Sequence, residues 1–69
     1  MKIAITNKNY HEWEAACSQF GVEHKPVETF EMNGVTGPYR LSFFRVPDDD
    51  HFATWIRLVK PRWIDHEQQ

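Results

Sequence analysis

Cysteine is nearly absent from this chain of 69 residues. Cys17 stands alone, so no internal disulfide can brace the fold. A chain this short buries a smaller share of its surface than a larger domain, and commonly leans on a staple, a metal or a partner. Long apolar runs are also missing, and Met1-Lys2-Ile3-Ala4-Ile5-Thr6 is too short for the core of a signal peptide or a membrane span. With one free thiol as well, an intracellular, cytoplasmic location with no membrane partner is expected. Glycine is scarce: Gly21, Gly34 and Gly37 fall at an expected helix end and hairpin, which leaves no glycine-rich phosphate loop. No G-x-S-x-G surrounds Ser18 or Ser42. A net charge of −2 gives no general attraction for nucleic acid or anionic lipid.

What the chain does have is aromatic mass. Five Phe, three Trp and two Tyr bury about 150–250 Å² each when packed, enough to carry an unstapled core. No repeat, linker or low-complexity segment divides the sequence, so residues 1–69 read as one small domain. Residues 2–6 alternate with Ile3 and Ile5 on one side, as a short strand does. Residues 10–20 read as a helix, with Asn9 as N-cap, Glu12 at capping-box spacing and Gly21 past the end. Its apolar stripe is Tyr10, Trp13, Ala16, Cys17 and Phe20.

Residues 27–32 read as the second strand, followed by Asn33-Gly34, a strong hairpin signal that would pair Met32 with Val35. Residues 39–46 and 51–59 read as the third and fourth strands, and 60–69 as a tail. A four-residue connection Pro47–Asp50 between those strands would gather Tyr39, Leu41, Phe43, Phe52, Ile56 and Leu58 on the core face. Arg40, Ser42, Phe44, Ala53, Trp55 and Arg57 would then face outward, since a slip of one residue exchanges the two sets. The expected fold is therefore α+β, a two-layer β-α-β-β-β sandwich with one helix on a mostly antiparallel four-stranded sheet. A right-handed crossover would set the first strand beside the second or the fourth.

The stretch Asp48-Asp49-Asp50-His51 raises the question of a metal. It lacks the spacing of a calcium loop, and adjacent carboxylates in a turn diverge, so it reads as a hairpin tip with acids available to a basic partner surface. Each of the four histidines has an acidic neighbour, but strand neighbours point to opposite faces, and no zinc spacing is present. Cys17 on the apolar stripe reads as a buried, unreactive thiol. A metal- or His-dependent enzyme is the minority reading, and no cofactor is implied.

The informative feature is the expected outer face, where Arg40, Phe44, Trp55 and Arg57 would be neighbours. Aromatics among arginines serve protein hot spots and also single-stranded nucleic-acid platforms. Trp63 and Ile64 of the tail would either fold back over that face, with Asp65 or Glu67 toward the arginines, or leave it open. The first functional reading is a non-enzymatic binding protein that acts by protein contact, with a homodimer as one form of it. It would inhibit or bridge a larger, nucleic-acid-handling host complex, in the manner of small phage or mobile-element antagonists. Its contact residues would be Arg40, Phe44, Trp55, Arg57 and Trp63, with Asp48, Asp49 and Asp50 as an anionic contact. The second reading is a single-stranded nucleic-acid-binding module that uses the same face.

Overall fold

The computed structural model describes residues 1–65 of the chain. Strand β1 (Lys2–Thr6) leads through a single 3-10 turn into helix α1 (Tyr10–Phe20). Strands β2 (Glu28–Gly34) and β3 (Gly37–Arg45) form a hairpin, and helix α2 (His51–Val59) follows, closed by a 3-10 turn at Pro61–Trp63. The architecture is α+β with two helices and a three-stranded antiparallel sheet in the order β1-β3-β2. The expected fourth strand is thus a helix, and β1 lies beside β3, which is inserted between the two strands that α1 connects.

The local chemistry explains the helix at 51–59. Asp50 is an N-cap whose carboxylate accepts from the Phe52 N–H at 3.5 Å. Phe52, Ala53 and Ile56 then fall on one side at helical spacing, all fully buried, while Leu58 is 78 % exposed. Alternation of 52, 56 and 58 suggests a strand only if Thr54, also on that side, is ignored. Arg57 sits in the last turn, where a cation complements the helix dipole.

Helix α1 buries Trp13, Ala16 and Cys17 from its expected stripe, with Tyr10 and Phe20 packed at the margin. Gly21 ends it in the left-handed conformation (φ 66°), and the Gly21 and Val22 N–H groups return to the carbonyls of Ser18 and Cys17. The capping box does not form. Asn9 makes no side-chain cap, and Glu12 instead accepts from Lys60 Nζ at 2.5 Å.

The hairpin turns two residues later than Asn33-Gly34 suggests. Gly34 pairs with Gly37 across Val35-Thr36, and Met32 pairs with Tyr39. Val35 and Thr36 keep negative φ, so the positive φ falls on Gly37 (120°). The shift keeps parity, and Phe30 and Met32 share a face with Tyr39, Leu41 and Phe43 as expected.

That face is the outer one, which reverses the expected assignment. Ile3 lies opposite Phe44 and Ile5 opposite Ser42, and all four are buried beneath the helices. Trp13 is the hub: its ring lies 4.6 Å from Phe44, 5.5 Å from Phe52 and 5.7 Å from Trp63. Its buried Nε1 has no hydrogen-bond partner among the described residues, a cost of about 1–3 kcal/mol that the surrounding aromatic packing must offset. Within the described residues, the segment after α2 does not cross the outer face. Trp63 enters the core at 4 % exposure, Ile64 bridges Ile3, and the Asp65 N–H donates to the Lys2 carbonyl at 2.9 Å. The Asp65 carboxylate lies 3.5 Å from Lys2 Nζ, so its ion-pair partner is neither Arg40 nor Arg57. Glu67 lies outside the described residues.

Candidate functional site

Both helices pack on one side of the sheet, so its other side has no covering layer among the described residues. The registers assemble that side row by row: Ala4-Phe43-Glu28, then Thr6-Leu41-Phe30, then Tyr39-Met32, with Lys2 beside Arg45 at one end. Phe30 and Phe43 meet edge to face at 6.0 Å, and Lys2 Nζ sits 4.4 Å above the Phe43 ring. Phe30 is 45 % exposed and Met32 39 %, while Tyr39, Leu41 and Phe43 are half-buried by their neighbours on the same face. The result is an aromatic and aliphatic surface rimmed by two cations and Glu28.

Strand β2 contributes a second opening. All seven of its residues are exposed, because neither helix reaches over its inner side. A groove of about 630 Å³ therefore runs beside α1, floored by Thr29, Glu31, Arg40 and Ser42 and walled by Tyr10 and Pro26. Thr29 and Ser42 hydroxyls lie 3.4 Å apart on that floor.

The residues singled out from sequence do not assemble. Phe44 and Trp63 are core residues at 2 % and 4 % exposure, and so present no binding surface. Trp55 is half-buried against Phe20, Phe52 and Trp63 on α2, at 5.6–6.1 Å between rings. Arg40 lies in the groove, where its Nε donates to Glu31 at 2.9 Å and its backbone N–H to Asn7 Oδ1 at 3.2 Å. Arg57 is on α2, where it donates to the Asp48 carbonyl at 3.2 Å. The strand from Arg40 to Arg45 alone spans roughly 17 Å, so the two arginines are not cross-strand neighbours.

The three acids divide as well. Asp48 lies 2.8 Å from the Met1 amine and 3.6 Å from Arg57 Nη2, and the hydrogen bond and charge of that amine hold its carboxyl below the usual carboxylate range, with Arg57 adding to the effect. Asp50 caps α2, and Asp49 is exposed. Among the described residues, no group of three or more His, Cys, Asp or Glu is arranged to hold a metal ion. The acid that contacts His24 is Glu14, at 3.5 Å, and not its sequence neighbour Glu23. Cys17 is fully buried, and burial first, then Glu14, pushes its thiol up to about 11.

Sequence reading missed the surface made by Phe30, Met32, Tyr39, Leu41 and Phe43. Two signals pointed to it: Asp50 as a helix cap, and Ile3 with Ile5 as a strand needing a buried partner row. Among the described residues, no helix is long and apolar enough to cross a membrane. No family model, curated protein or solved structure matches this chain.

Proposed function

We propose that the protein is a small non-enzymatic binding protein that acts by protein–protein contact, as an inhibitor or adaptor of a larger assembly. The contact surface is the open side of the sheet, with Phe30, Tyr39, Leu41 and Phe43 as anchors and Lys2, Glu28 and Arg45 as the polar rim. One observation carries this reading: a sheet face with five large apolar side chains and no covering layer among the described residues. A contiguous apolar patch with a polar rim is the usual anatomy of a protein interface, and aromatic side chains provide most of its hot spots.

A second reading rests on the same face. Lys2 over Phe43, with Arg45 alongside, sets cations among stacking rings, as in platforms for single-stranded nucleic acid. Affinity capture from a native lysate, with and without nuclease, separates the two. Wild type is compared with the Tyr39→Ser, Phe43→Ser double variant and with Leu58→Ser, a change at an exposed apolar residue on α2. Protein contact requires a nuclease-resistant partner that the double variant loses and Leu58→Ser keeps. Nuclease-sensitive capture transfers the conclusion to the second reading, and equal capture by all three proteins removes the face from both.

A further inference from the structure

The two edges of the sheet differ. The outer edge of β1 is engaged by the end of the described chain, through the Ile3–Ile64 bridge and the Asp65 N–H. The outer edge of β2 pairs with nothing among the described residues, and β2 makes its ladder with β3 alone. The phase of that ladder follows from its ends. A two-residue turn closes on the Gly34–Gly37 pair, and the Arg40 N–H turns away from β2 to Asn7. The main-chain N–H and C=O groups of Thr29, Glu31 and Asn33 therefore project from the free edge. Residues 28–34 hold no proline, lysine or bulge, so of the devices that ordinarily keep an edge from pairing only the charges of Glu28 and Glu31 are present, and Arg40 pairs with Glu31.

We propose that β2 pairs antiparallel with β2 of a second copy of this chain, about a twofold axis at Phe30, to form a continuous six-stranded sheet. In this register Thr29 of each copy exchanges main-chain hydrogen bonds with Glu31 of the other. Phe30 meets Phe30 of the second copy in the close, non-hydrogen-bonded position, and Glu28 lies opposite Met32.

Charge selects both register and occupant. An axis at Glu31 would oppose two carboxylates directly, and an axis at Met32 would set Phe30 against Gly34 and forfeit the aromatic pair. With the axis at Phe30, no like charges are directly opposed. Arg40 of the same copy already neutralises Glu31 at 2.9 Å, so a second copy brings little repulsion to the dyad. The open faces of the copies then merge, and Phe30 and Met32 lose part of their 45 % and 39 % exposure. One strand edge buries well under the roughly 800 Å² per partner of a standard interface, so the association is concentration-dependent rather than obligate. The pairing uses the main-chain edge, so it stands or falls apart from the binding role of the β3 aromatics.

Sedimentation equilibrium from low micromolar to near-millimolar protein tests the proposal, with an apparent mass expected to rise from 8.2 kDa toward twice that value. Glu31→Pro removes an edge donor and should hold the protein at 8.2 kDa, whereas Glu31→Gln keeps the edge and should still associate. A crosslink guards against a proline variant that fails to fold. At the dyad the two Cα atoms of residue 30 are about 4.5 Å apart, within reach of a disulfide, while those of residue 32 are roughly 13 Å apart. Mild oxidation should therefore link F30C into a dimer and leave M32C monomeric, with the buried Cys17 taking no part. A mass of 8.2 kDa at every concentration without an F30C crosslink overturns the dimer. Crosslinking of M32C at least as fast as F30C overturns the axis. A dimer that Glu31→Pro leaves intact, in a folded protein, overturns the use of this edge.

Discussion

Phe43 and Phe44 are neighbours in sequence with opposite fates, and a matched pair of substitutions reads out which of them faces the core. Phe44 is 2 % exposed, with its ring tilted against Trp13 at 4.6 Å, and lies opposite the fully buried Ile3. Phe43 is half-buried on the open face, with Phe30 on one side and Lys2 above it. Truncation of a core Phe to Ala costs about 3–5 kcal/mol. A chain of this length has roughly 3–10 kcal/mol in total, at about 0.05–0.15 per residue, so Phe44→Ala would leave little folded protein to measure. Leucine is the better probe. Phe44→Leu should cost about 1–1.5 kcal/mol, a fall in Tm of roughly 5–10 °C for a domain this small. Phe43→Leu should cost less than about 0.5 kcal/mol, because its site is open to solvent and has no cavity to leave. Urea unfolding at low micromolar protein, followed by tryptophan fluorescence, measures both, and Phe44→Leu should also shift the native emission through its contact with Trp13. A larger loss from Phe43→Leu than from Phe44→Leu would refute the placement of the two faces.

Three further outcomes follow from the same packing. Leu58→Lys should change stability by less than about 0.5 kcal/mol in urea unfolding, since the side chain points to solvent from α2; a loss of several kcal/mol would return residues 51–59 to a strand with Leu58 inside. Asp50→Ala should cost about 0.5–1 kcal/mol, the lower part of the range for a lost N-cap because the 3.5 Å contact is long, and Asp49→Ala should cost less. Asp48 has its folded pKa lowered, so its contribution is present above its ordinary range and is lost as pH falls through the depressed value. The Tm of Asp48→Asn should therefore lie below wild type at neutral pH and converge with it below about pH 4, and curves that stay parallel down to about pH 3 would contradict the role of the Met1 amine.

How far the sequence could be read depends on which signals were local. Helix α1 and its end were legible because the Trp13-Ala16-Cys17 spacing and Gly21 both act within a few residues. The shared face of Phe30, Met32, Tyr39, Leu41 and Phe43 was legible too, since moving the turn from Asn33-Gly34 to Val35-Thr36 preserves parity. Which side of the sheet the helices cover was not local. It depended on residues 51–59, where Phe, Thr, Trp, Ile and Val carry strand propensity, but where the Asp50 cap and the adjacent buried pair Phe52-Ala53 favour a helix. Once that segment is helical, no fourth strand remains among the described residues to bury Tyr39, Leu41 and Phe43. The row that pairs with Ile3 and Ile5 goes inside instead.

The same exchange explains why the surface proposed from sequence dissolved and a different one emerged. A second helix on the side of α1 doubles the cover over β1 and the Ser42–Phe44 part of β3, and stops short of β2. Both helices lie on one side, so the other sheet face goes without a helix among the described residues. In most small domains of this build the uncovered face alternates to polar residues. Here it carries Phe30, Met32, Tyr39, Leu41 and Phe43, and two of the three acids make contacts within the fold, Asp50 by capping α2 and the exposed Asp48 by pairing with the Met1 amine and Arg57. Apolar side chains on a face that no described element covers stabilise the monomer little, which is the observation that the proposed contact surface rests on.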